Sequence, residues 1–268
     1  MNKTKKFIGK IVWITGASSG IGESLVYEFI KMGAVVIASS NDLPGLDRVK
    51  SSCKDKSGMV HCVPFDLAET SEINKIVEQI IKEFGKIDIL LNLGGISQRA
   101  RIEETPLWLD RKIFEINYFG TIALTKAILP HMISRRSGHI LATSSISGRF
   151  GFPLRSAYSA SKQALHGFFE TLYLENKKYN IRSSVIIPGR VRTSISMHAL
   201  NGEGKEHGIL DDGQAKGVLP CKAAKIIIDG ILKNKREILV GKSELFLLYI
   251  RRYCPRLFFR IADKIKST

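Results

Sequence analysis

Runs of apolar and β-branched residues recur along the chain and predict the strands of a sheet. Ile11–Thr15 is typical, because it is apolar up to its last residue and is bounded by Lys10 and Gly16. Such continuous runs indicate parallel strands that are buried on both faces. We predict seven strands, at residues 11–15, 34–39, 59–63, 87–91, 139–143, 181–187 and 237–240.

Between these runs, apolar residues recur every three or four positions, which predicts amphipathic helices. The pattern is clearest at residues 71–84, with Ser71 as the expected N-cap. Because helices and strands alternate, the expected fold class is α/β, a doubly wound parallel sheet of about seven strands with helices on both faces. The other helices are predicted between Gly22 and Gly33, within 41–57, and at 106–132, 157–178 and 223–232.

Two segments depart from this alternation. Residues 192–218 are polar and weakly periodic, and we interpret them as a mobile lid over the strand ends, where ligands of such sheets bind. Residues 242–268 form a tail that is both apolar and basic. With 268 residues, the chain is long enough for one large domain, which we place at residues 1–241.

The formal net charge is +16, with a sequence pI near 9.7. A basic balance is compatible with nucleic acid, a membrane surface or solubility alone. We do not expect nucleic-acid binding, because the sequence has neither a recognition motif with a basic stripe nor stacking aromatics. The sequence has no signal-peptide pattern and no run of ~20 apolar residues, so a transmembrane anchor is not expected.

The four cysteines, Cys53, Cys62, Cys221 and Cys254, are widely scattered along the chain. They show no C-x-x-C pattern and no Cys/His ligand spacing. We therefore expect reduced thiols in a reducing compartment, hence a cytoplasmic protein, and no metal site.

A glycine-rich stretch, T-G-A-S-S-G-I-G, directly follows the first strand. It places Gly16, Gly20 and Gly22 between that strand and a predicted helix. Glycines allow a tight turn there and let backbone amides approach a pyrophosphate at the positive end of the helix. An ordinary flexible turn is the alternative, and the flanking strand and helix favour the phosphate site.

The candidate chemistry lies in residues 143–162, which read TSSISGRFGFPLRSAYSASK. Tyr158 and Lys162 stand four apart in a helix-compatible segment and would share one helix face, although such pairs are often only surface neighbours. A tyrosine with a pKa of ~10 becomes a base near neutrality if its pKa falls by roughly three units, and an ammonium ~4 Å away supplies energy of that order. A serine on a neighbouring strand end would complete a trio suited to alcohol and carbonyl interconversion, which also needs a hydride carrier.

Taken together, these features resemble the short-chain dehydrogenase/reductase family over nearly the whole chain. The stretches W-I-T-G-A-S-S-G-I-G-E and L-N-L-G-G-I-S-Q-R are similar in sequence to the member 7 group of dehydrogenase/reductases. Members of that group are often membrane-associated enzymes acting on steroids, retinoids and other lipophilic carbonyls. The resemblance implies a Rossmann fold and an NAD(P)-dependent oxidoreductase. The matching pieces are T-G-A-S-S-G-I-G at 15–22, Asp66, Asn92 with Gly94 and Gly95, Asn117, Ser145, Tyr158, Lys162, and P-G-R-V-R-T at 188–193.

By position, the resemblance implies four catalytic residues. Tyr158 would be the acid/base, and Lys162 would lower its pKa and hold the nicotinamide ribose. Ser145 would steady the substrate oxygen, and Asn117 would anchor a water that links Lys162 to solvent. Ser144 is expected only as a hydrogen-bonding partner at the strand end.

The resemblance also implies a cofactor site. At the end of the second strand, where an NAD enzyme of this fold usually carries an acid, this chain has Ser40. NADP(H) is therefore the expected cofactor, with NAD(H) possible, although Asn41 replaces an arginine of many NADP-dependent members. The implied cofactor residues are Gly16, Ser18, Ser19, Gly20, Ile21, Gly22, Ser40, Asn41, Asp66, Leu67, Asn92, Gly94, Tyr158, Lys162, Pro188, Val191 and Thr193.

The predicted function is the interconversion of a lipophilic secondary alcohol and its carbonyl, and a non-catalytic dinucleotide-binding regulatory protein is the alternative. Phe150, Phe152 and Leu154 are expected to line the pocket or to belong to the core. A homo-oligomer, dimer or tetramer, is the expected assembly. The tail, with seven basic residues and two acids, either lies on an anionic membrane such as the endoplasmic reticulum, or packs against a partner subunit or the pocket.

Overall fold

The computed structural model describes residues 6–53 and 59–262 of the chain. Seven parallel strands form one sheet in the order β3-β2-β1-β4-β5-β6-β7. This confirms the doubly wound sheet predicted from the apolar runs. The strands are β1 Ile11–Thr15, β2 Val35–Ser39, β3 Met59–Cys62, β4 Ile89–Asn92, β5 Gly138–Thr143, β6 Ile181–Pro188 and β7 Glu237–Val240.

Alternate residues of each strand point to opposite faces of the sheet. Apolar residues therefore lie on both faces, and helices cover both. The helices are α1 Gly20–Lys31, α2 Leu43–Ser51, α3 Ile73–Phe84, α4 Leu107–Phe114, α5 Thr121–Ser134, α6 Ser156–Asn176, α7 Asp212–Ala215, α8 Pro220–Leu232, α9 Phe246–Tyr253 and α10 Pro255–Ala262. In β1, Val12 and Ile14 join the core under α1 and α8, whereas Ile11 and Trp13 join the core under α3, α5 and α6.

The chain winds outward from β1 in two directions, to β2 on one side and β4 on the other. The loops after β1 and β4 meet at this switch point, where ligands of open α/β sheets bind. Thr15 Oγ1 accepts hydrogen bonds from the backbone N–H groups of Leu93 and Gly94, each at 3.1 Å. This contact joins the glycine-rich loop to the loop after β4.

Two helix predictions need correction. Ser71 is not an N-cap, because Thr70–Glu72 forms a 3-10 turn that runs directly into α3, and Ser71 lacks the extended backbone that a cap requires. The helix predicted at 106–132 is continuous, but Glu115–Gly120 is a π-helical insertion between α4 and α5. Asn117 lies in that insertion, which recurs at functional sites in proteins.

The predicted lid and tail both contact the body of the domain. In the lid, Leu200 forms bridges with Gln98 and Glu206. In the tail, Phe258 of α10 is buried against Phe150, with 4.7 Å between ring centroids. No helix within the described residues is long and apolar enough to span a membrane. Parts of two predicted segments, residues 54–58 and 263–268, lie outside the described residues.

Candidate active site

A cavity of about 630 Å³ lies at the carboxyl ends of the central strands. Thr15 of β1, Thr143 of β5 and Pro188 of β6 all line it. The structure brings most of the sequence-predicted site residues together at this one cavity. They are Gly16, Ser18, Ser19, Gly20, Ile21, Gly22, Ser40, Asn41, Asp66, Leu67, Gly94, Ser145, Tyr158, Lys162, Pro188, Val191 and Thr193.

Two glycines of the glycine-rich loop, Gly16 and Gly22, lie where no side chain fits. Gly16 has φ +65°, and a Cβ at this position would lie 2.8 Å from the backbone N of Gly94. A Cβ on Gly22 would collide with the carbonyl oxygen of Gly16. Ser19 occupies the N-cap position of α1 without a side-chain cap hydrogen bond. The loop therefore presents the first-turn N–H groups of α1, which have no acceptor within the helix, toward the cavity.

Tyr158 lies in the first turn of α6, which Gln98 positions by accepting a hydrogen bond from the N–H of Ala157 at 3.0 Å. Ser145 also lines the cavity. Burial raises the pKa of Tyr158, while the side chain of Ser145 and the charges of Arg155 and Arg99 oppose the rise. The lowering of this pKa by Lys162 that we expected from the sequence is therefore not found, because desolvation outweighs the nearby positive charges.

Lys162 lies one helical turn after Tyr158, as the spacing predicts. Its Nζ is 5.9 Å from the centroid of the Tyr158 ring and donates a hydrogen bond to the carbonyl of Thr143 at 2.9 Å. Burial lowers the pKa of Lys162 to about 8. The side chain therefore carries its charge below that pH and loses it as the pH rises above it.

Two predicted asparagines lie outside the cavity lining. Asn117 is fully buried, and its Oδ1 accepts a hydrogen bond from the N–H of Ile96 at 2.8 Å while its Nδ2 donates to Ser161 Oγ at 3.1 Å. Asn117 Oδ1 and Lys162 Nζ both approach Gly95, at 2.7 and 3.2 Å from where a Cβ would stand.

Asn92, which the resemblance implies as a cofactor residue, forms a hydrogen bond within the sheet. Its Nδ2 donates to the carbonyl of Leu141 at 3.1 Å, so the side chain is directed to the neighbouring strand β5. The side chain is buried, with 3% exposure for the residue. Asn92 therefore joins the end of β4 to β5.

Ser144 forms hydrogen bonds with α6, as expected of a hydrogen-bonding partner at the strand end. Its hydroxyl donates to the carbonyl of Lys162 at 2.8 Å and lies 2.8 Å from Nε2 of His166. Burial, aided by the charge of Arg149, lowers the pKa of His166 to about 4. This imidazole is therefore neutral near pH 7.

Three charged side chains at the cavity, Arg99, Arg155 and Asp211, form a cluster that the sequence did not predict. Arg99, 6% exposed, donates to Asp211 Oδ2 from Nε at 3.2 Å and from Nη2 at 2.6 Å, and Arg155 donates to the same oxygen at 3.0 Å. Asp211 belongs to the predicted lid and lies 112 residues from Arg99 in sequence. No local pattern reveals such a contact, since it depends on how the lid crosses the strand ends.

The three pocket candidates have different environments. Phe152 lines the cavity, with Arg155 5.1 Å from its ring centroid. Phe150 is buried against Phe258 of the tail, and so it belongs to the core. Leu154 has φ +63°, and its carbonyl accepts a hydrogen bond from the N–H of Ala100.

Comparison with known proteins agrees with this geometry. A family model described as short chain dehydrogenase matches residues 10–204. The chain is 42% identical over 261 residues to "Dehydrogenase/reductase SDR family protein 7-like" of Drosophila melanogaster, covering 96% of this chain and 80% of that protein. It is 41% identical to "Dehydrogenase/reductase SDR family member 7B" of Rattus norvegicus, covering 94% and 79%. These names confirm the similarity to the member 7 group.

Solved structures show the same fold. A short-chain dehydrogenase/reductase from Burkholderia phymatum in complex with NAD aligns with a TM-score of 0.83 at 20% identity, covering 96% of both chains. An alcohol dehydrogenase from Thermococcus sibiricus complexed with 5-hydroxy-NADP aligns with a TM-score of 0.74 at 22% identity, covering 87% of this chain and 97% of that one. With the family model and the relatives, these likenesses establish that the chain belongs to the short-chain dehydrogenase/reductase family of oxidoreductases.

Proposed function

We propose that this enzyme interconverts a lipophilic secondary alcohol and its carbonyl, with a nicotinamide dinucleotide as redox partner. The observation that carries the proposal is that Tyr158 and Ser145 line the same cavity as the glycine-rich loop, close enough for Ser145 to oppose the rise in the pKa of the phenol. Tyr158 can donate or accept a proton, and Ser145 can hold a substrate oxygen beside it.

The residues at the strand ends fit a dinucleotide. The tight turn at Gly16 and the uncapped start of α1 form the kind of cradle that a pyrophosphate occupies. The dinucleotide, when bound, supplies or accepts the hydride. Pro188, Val191 and Thr193 also line the cavity, and we place the nicotinamide beside them.

The remaining roles follow from burial and hydrogen bonding. Lys162 is held by Thr143 and its ammonium lies 5.9 Å from the centroid of the Tyr158 ring, so we assign it the nicotinamide ribose. Asn117 and Lys162 flank Gly95, which suits the proposed proton relay through a water. Arg99 and Arg155 place positive charge near the phenol and favour its ionised form.

We further propose that NADP(H) is preferred over NAD(H). Ser18 and Ser40 lie 3.1 Å apart through their hydroxyls, and the Asn41 amide donates to Asp66 at 3.2 Å. These three polar side chains line the cavity where an adenosine phosphate would lie. The nearby acid, Asp42, accepts a hydrogen bond from the N–H of Gly45 and caps α2.

Assayed over a panel of lipophilic carbonyls, including steroids and retinoids, the enzyme should consume NADPH with a kcat/KM about tenfold or more above that for NADH. This ratio corresponds to one or more charge-assisted hydrogen bonds of ~1.5 kcal/mol. Ser40→Asp should reverse the preference, because its carboxylate repels the phosphate. The control is Ser51→Asp, which adds the same charge at an exposed position outside the cavity lining. Equal or better use of NADH by the wild-type enzyme would contradict the assignment.

The same assay tests the alternative, a non-catalytic dinucleotide-binding regulator. A protein that binds NADPH but consumes none with any carbonyl or alcohol of the panel would favour that alternative. The Ser145 and Tyr158 pairing favours the enzyme, since a purely binding protein has no need of a proton donor at the cavity.

We propose that the tail makes a peripheral contact with an anionic membrane, such as the cytoplasmic face of the endoplasmic reticulum. Phe246, Tyr253 and Phe259 are exposed at 67%, 72% and 57%. Arg251 and Arg252 lie over neighbouring rings, at 5.4 Å from Phe259 and 5.8 Å from Tyr253. Aromatic rings beside arginines suit the membrane interface, where the rings are buried and the charges meet the headgroups.

The protein should therefore sediment with anionic liposomes at low salt and be released as salt rises, because salt screens the attraction between arginines and headgroups. A chain ending at Lys242 and the triple variant Phe246→Ser, Tyr253→Ser, Phe259→Ser should stay in the supernatant. Leu174→Ser, at an exposed leucine of α6, is the control. Sedimentation velocity on the same samples should show the dimer or tetramer that we propose. If the triple variant still binds, or if truncation only disrupts folding or assembly, the tail is a structural element.

A further inference from the structure

A cluster of possible metal ligands lies outside the cavity lining. It comprises His166 and Glu170 of α6 and Glu237 of β7, and we call it the His166 cluster. One ring nitrogen of His166 and one carboxylate oxygen from each glutamate lie within 4.8 Å of one another. His166 is only 6% exposed, whereas both glutamates are exposed.

The hydrogen bonds of Ser144 determine which nitrogen of His166 carries the proton. The single hydroxyl proton of Ser144 is donated to the carbonyl of Lys162 at 2.8 Å, because that carbonyl can only accept. Nε2 of His166, also 2.8 Å from Ser144 Oγ, must then be the protonated nitrogen and the donor. Nδ1 is left with a lone pair, and it has no hydrogen-bond partner among residues 6–53 and 59–262.

This is the arrangement in which histidine binds metals. A metal-ligating histidine normally donates its other ring N–H to a nearby acceptor, which fixes the tautomer and the ring orientation. Here Ser144 accepts that N–H, which leaves Nδ1 as the ring nitrogen that can bind an ion shared with the two carboxylates. Leaving a buried polar atom unpartnered has a cost in stability, and a bound cation would remove it.

The charges around the cluster also fit a cation. Arg149, which follows the 3-10 turn after β5, forms an ion pair with Glu237. Burial lowers the pKa of Arg149. The negative charge of Glu170 opposes this shift, and the positive charge of Arg252 on α9 adds to it. The carboxylates of Glu170 and Glu237 therefore already attract the guanidinium of Arg149, and a cation bound between them would take its place.

We propose that the His166 cluster is a Zn²⁺ site, with Nδ1 of His166 and the carboxylates of Glu170 and Glu237 as ligands. Zn²⁺ accepts mixed nitrogen and oxygen ligands at ~2.0–2.2 Å, whereas Mg²⁺ prefers oxygen alone. The exposed glutamates can close around the ion by side-chain rotation, and Arg149 is then released from Glu237. Three protein ligands leave the fourth position to water. The ion would tie the catalytic helix α6 to the edge strand β7.

The test is a calorimetric titration of the full chain with Zn²⁺ in a Cys221→Ser, Cys254→Ser background, because both thiols are exposed and could bind zinc themselves. We expect one Zn²⁺ per chain, together with a rise in Tm when Zn²⁺ is added. Glu170→Gln and Glu237→Gln should each weaken binding about tenfold or more and remove most of the rise in Tm. His166→Gln should abolish both effects.

Glu175→Gln is the matched control, since Glu175 is exposed on the same helix outside the cluster, and it should bind Zn²⁺ like the background protein. If His166→Gln fails to fold, the two glutamate variants decide the question, because their side chains are exposed. The proposal is overturned if the background protein binds no Zn²⁺, or if Glu170→Gln and Glu237→Gln bind it as tightly as Glu175→Gln. Neither readout uses turnover, so the result is independent of the proposed function.

Discussion

Replacing Tyr158 with phenylalanine is expected to lower kcat about 100-fold or more, because the variant keeps the buried ring but loses the transferable proton. Binding of NADPH, followed by fluorescence titration, should be unchanged, since Phe fills the same space. The hydroxyl of Ser145 keeps the hydrogen bond that it accepts from the N–H of Ser147, so it stays in place in this variant. The loss should therefore appear in kcat more than in the dissociation constant of the cofactor.

Tyr173→Phe is the control for this experiment. Tyr173 also lies on α6, but its ring is turned to Arg236, 5.4 Å away, and it does not line the cavity. Removing its hydroxyl should leave kcat unaltered. A Tyr158→Phe enzyme that kept more than about a tenth of the wild-type rate would show that another group transfers the proton.

Gly16→Ala is expected to reduce cofactor affinity at least tenfold and to lower the Tm. An alanine at φ +65° adopts an unfavourable backbone conformation, costing about 1–2 kcal/mol. Its Cβ would also stand 2.8 and 2.9 Å from the backbone N and Cα of Gly94, atoms that cannot rotate away. Overpacking of this kind costs about 1–3 kcal/mol more, and each 1.4 kcal/mol borne by the binding geometry is a factor of ten in affinity.

Gly167→Ala provides the matched control. Gly167 is exposed within α6, and nothing lies within 4 Å of where its Cβ would stand. The same change there should raise the free energy of unfolding by about 0.5–1 kcal/mol, because alanine is the better helix former. If Gly16→Ala bound NADPH as the wild type does and melted at the same temperature, the loops after β1 and β4 would not form the tight junction described above.

Much of the fold could be predicted from local patterns. The strands are continuous apolar runs because both faces of a parallel sheet are covered, and their observed bounds differ from the predicted ones by two residues at most. The glycine-rich loop was recognisable because a tight turn between strand and helix requires particular residues. The contact of Tyr158 with Lys162 was also predictable, since positions four apart on a helix are neighbours.

The structure departs from expectation for two reasons, which are the path of the backbone at Ser71 and, elsewhere, contacts with parts of the chain that are distant in sequence. Ser71 has a good capping side chain, but the chain enters α3 through a 3-10 turn. Asn92 is polar and follows a strand, yet it binds the carbonyl of Leu141, 49 residues away. The pKa of Tyr158 moves in the opposite direction to our expectation, because burial by the surrounding elements outweighs the charges near it.

The sequence by itself determined the order of strands and helices, the glycine-rich loop and the spacing of Tyr158 and Lys162. These features depend on neighbours within a few residues, where backbone geometry converts a pattern directly into structure. Only the tertiary structure decided that Asp211 joins Arg99 and Arg155 at the cavity, and that Glu237 meets His166. Those contacts close loops of many residues, and their partners are selected by how whole elements pack, which no local spacing encodes.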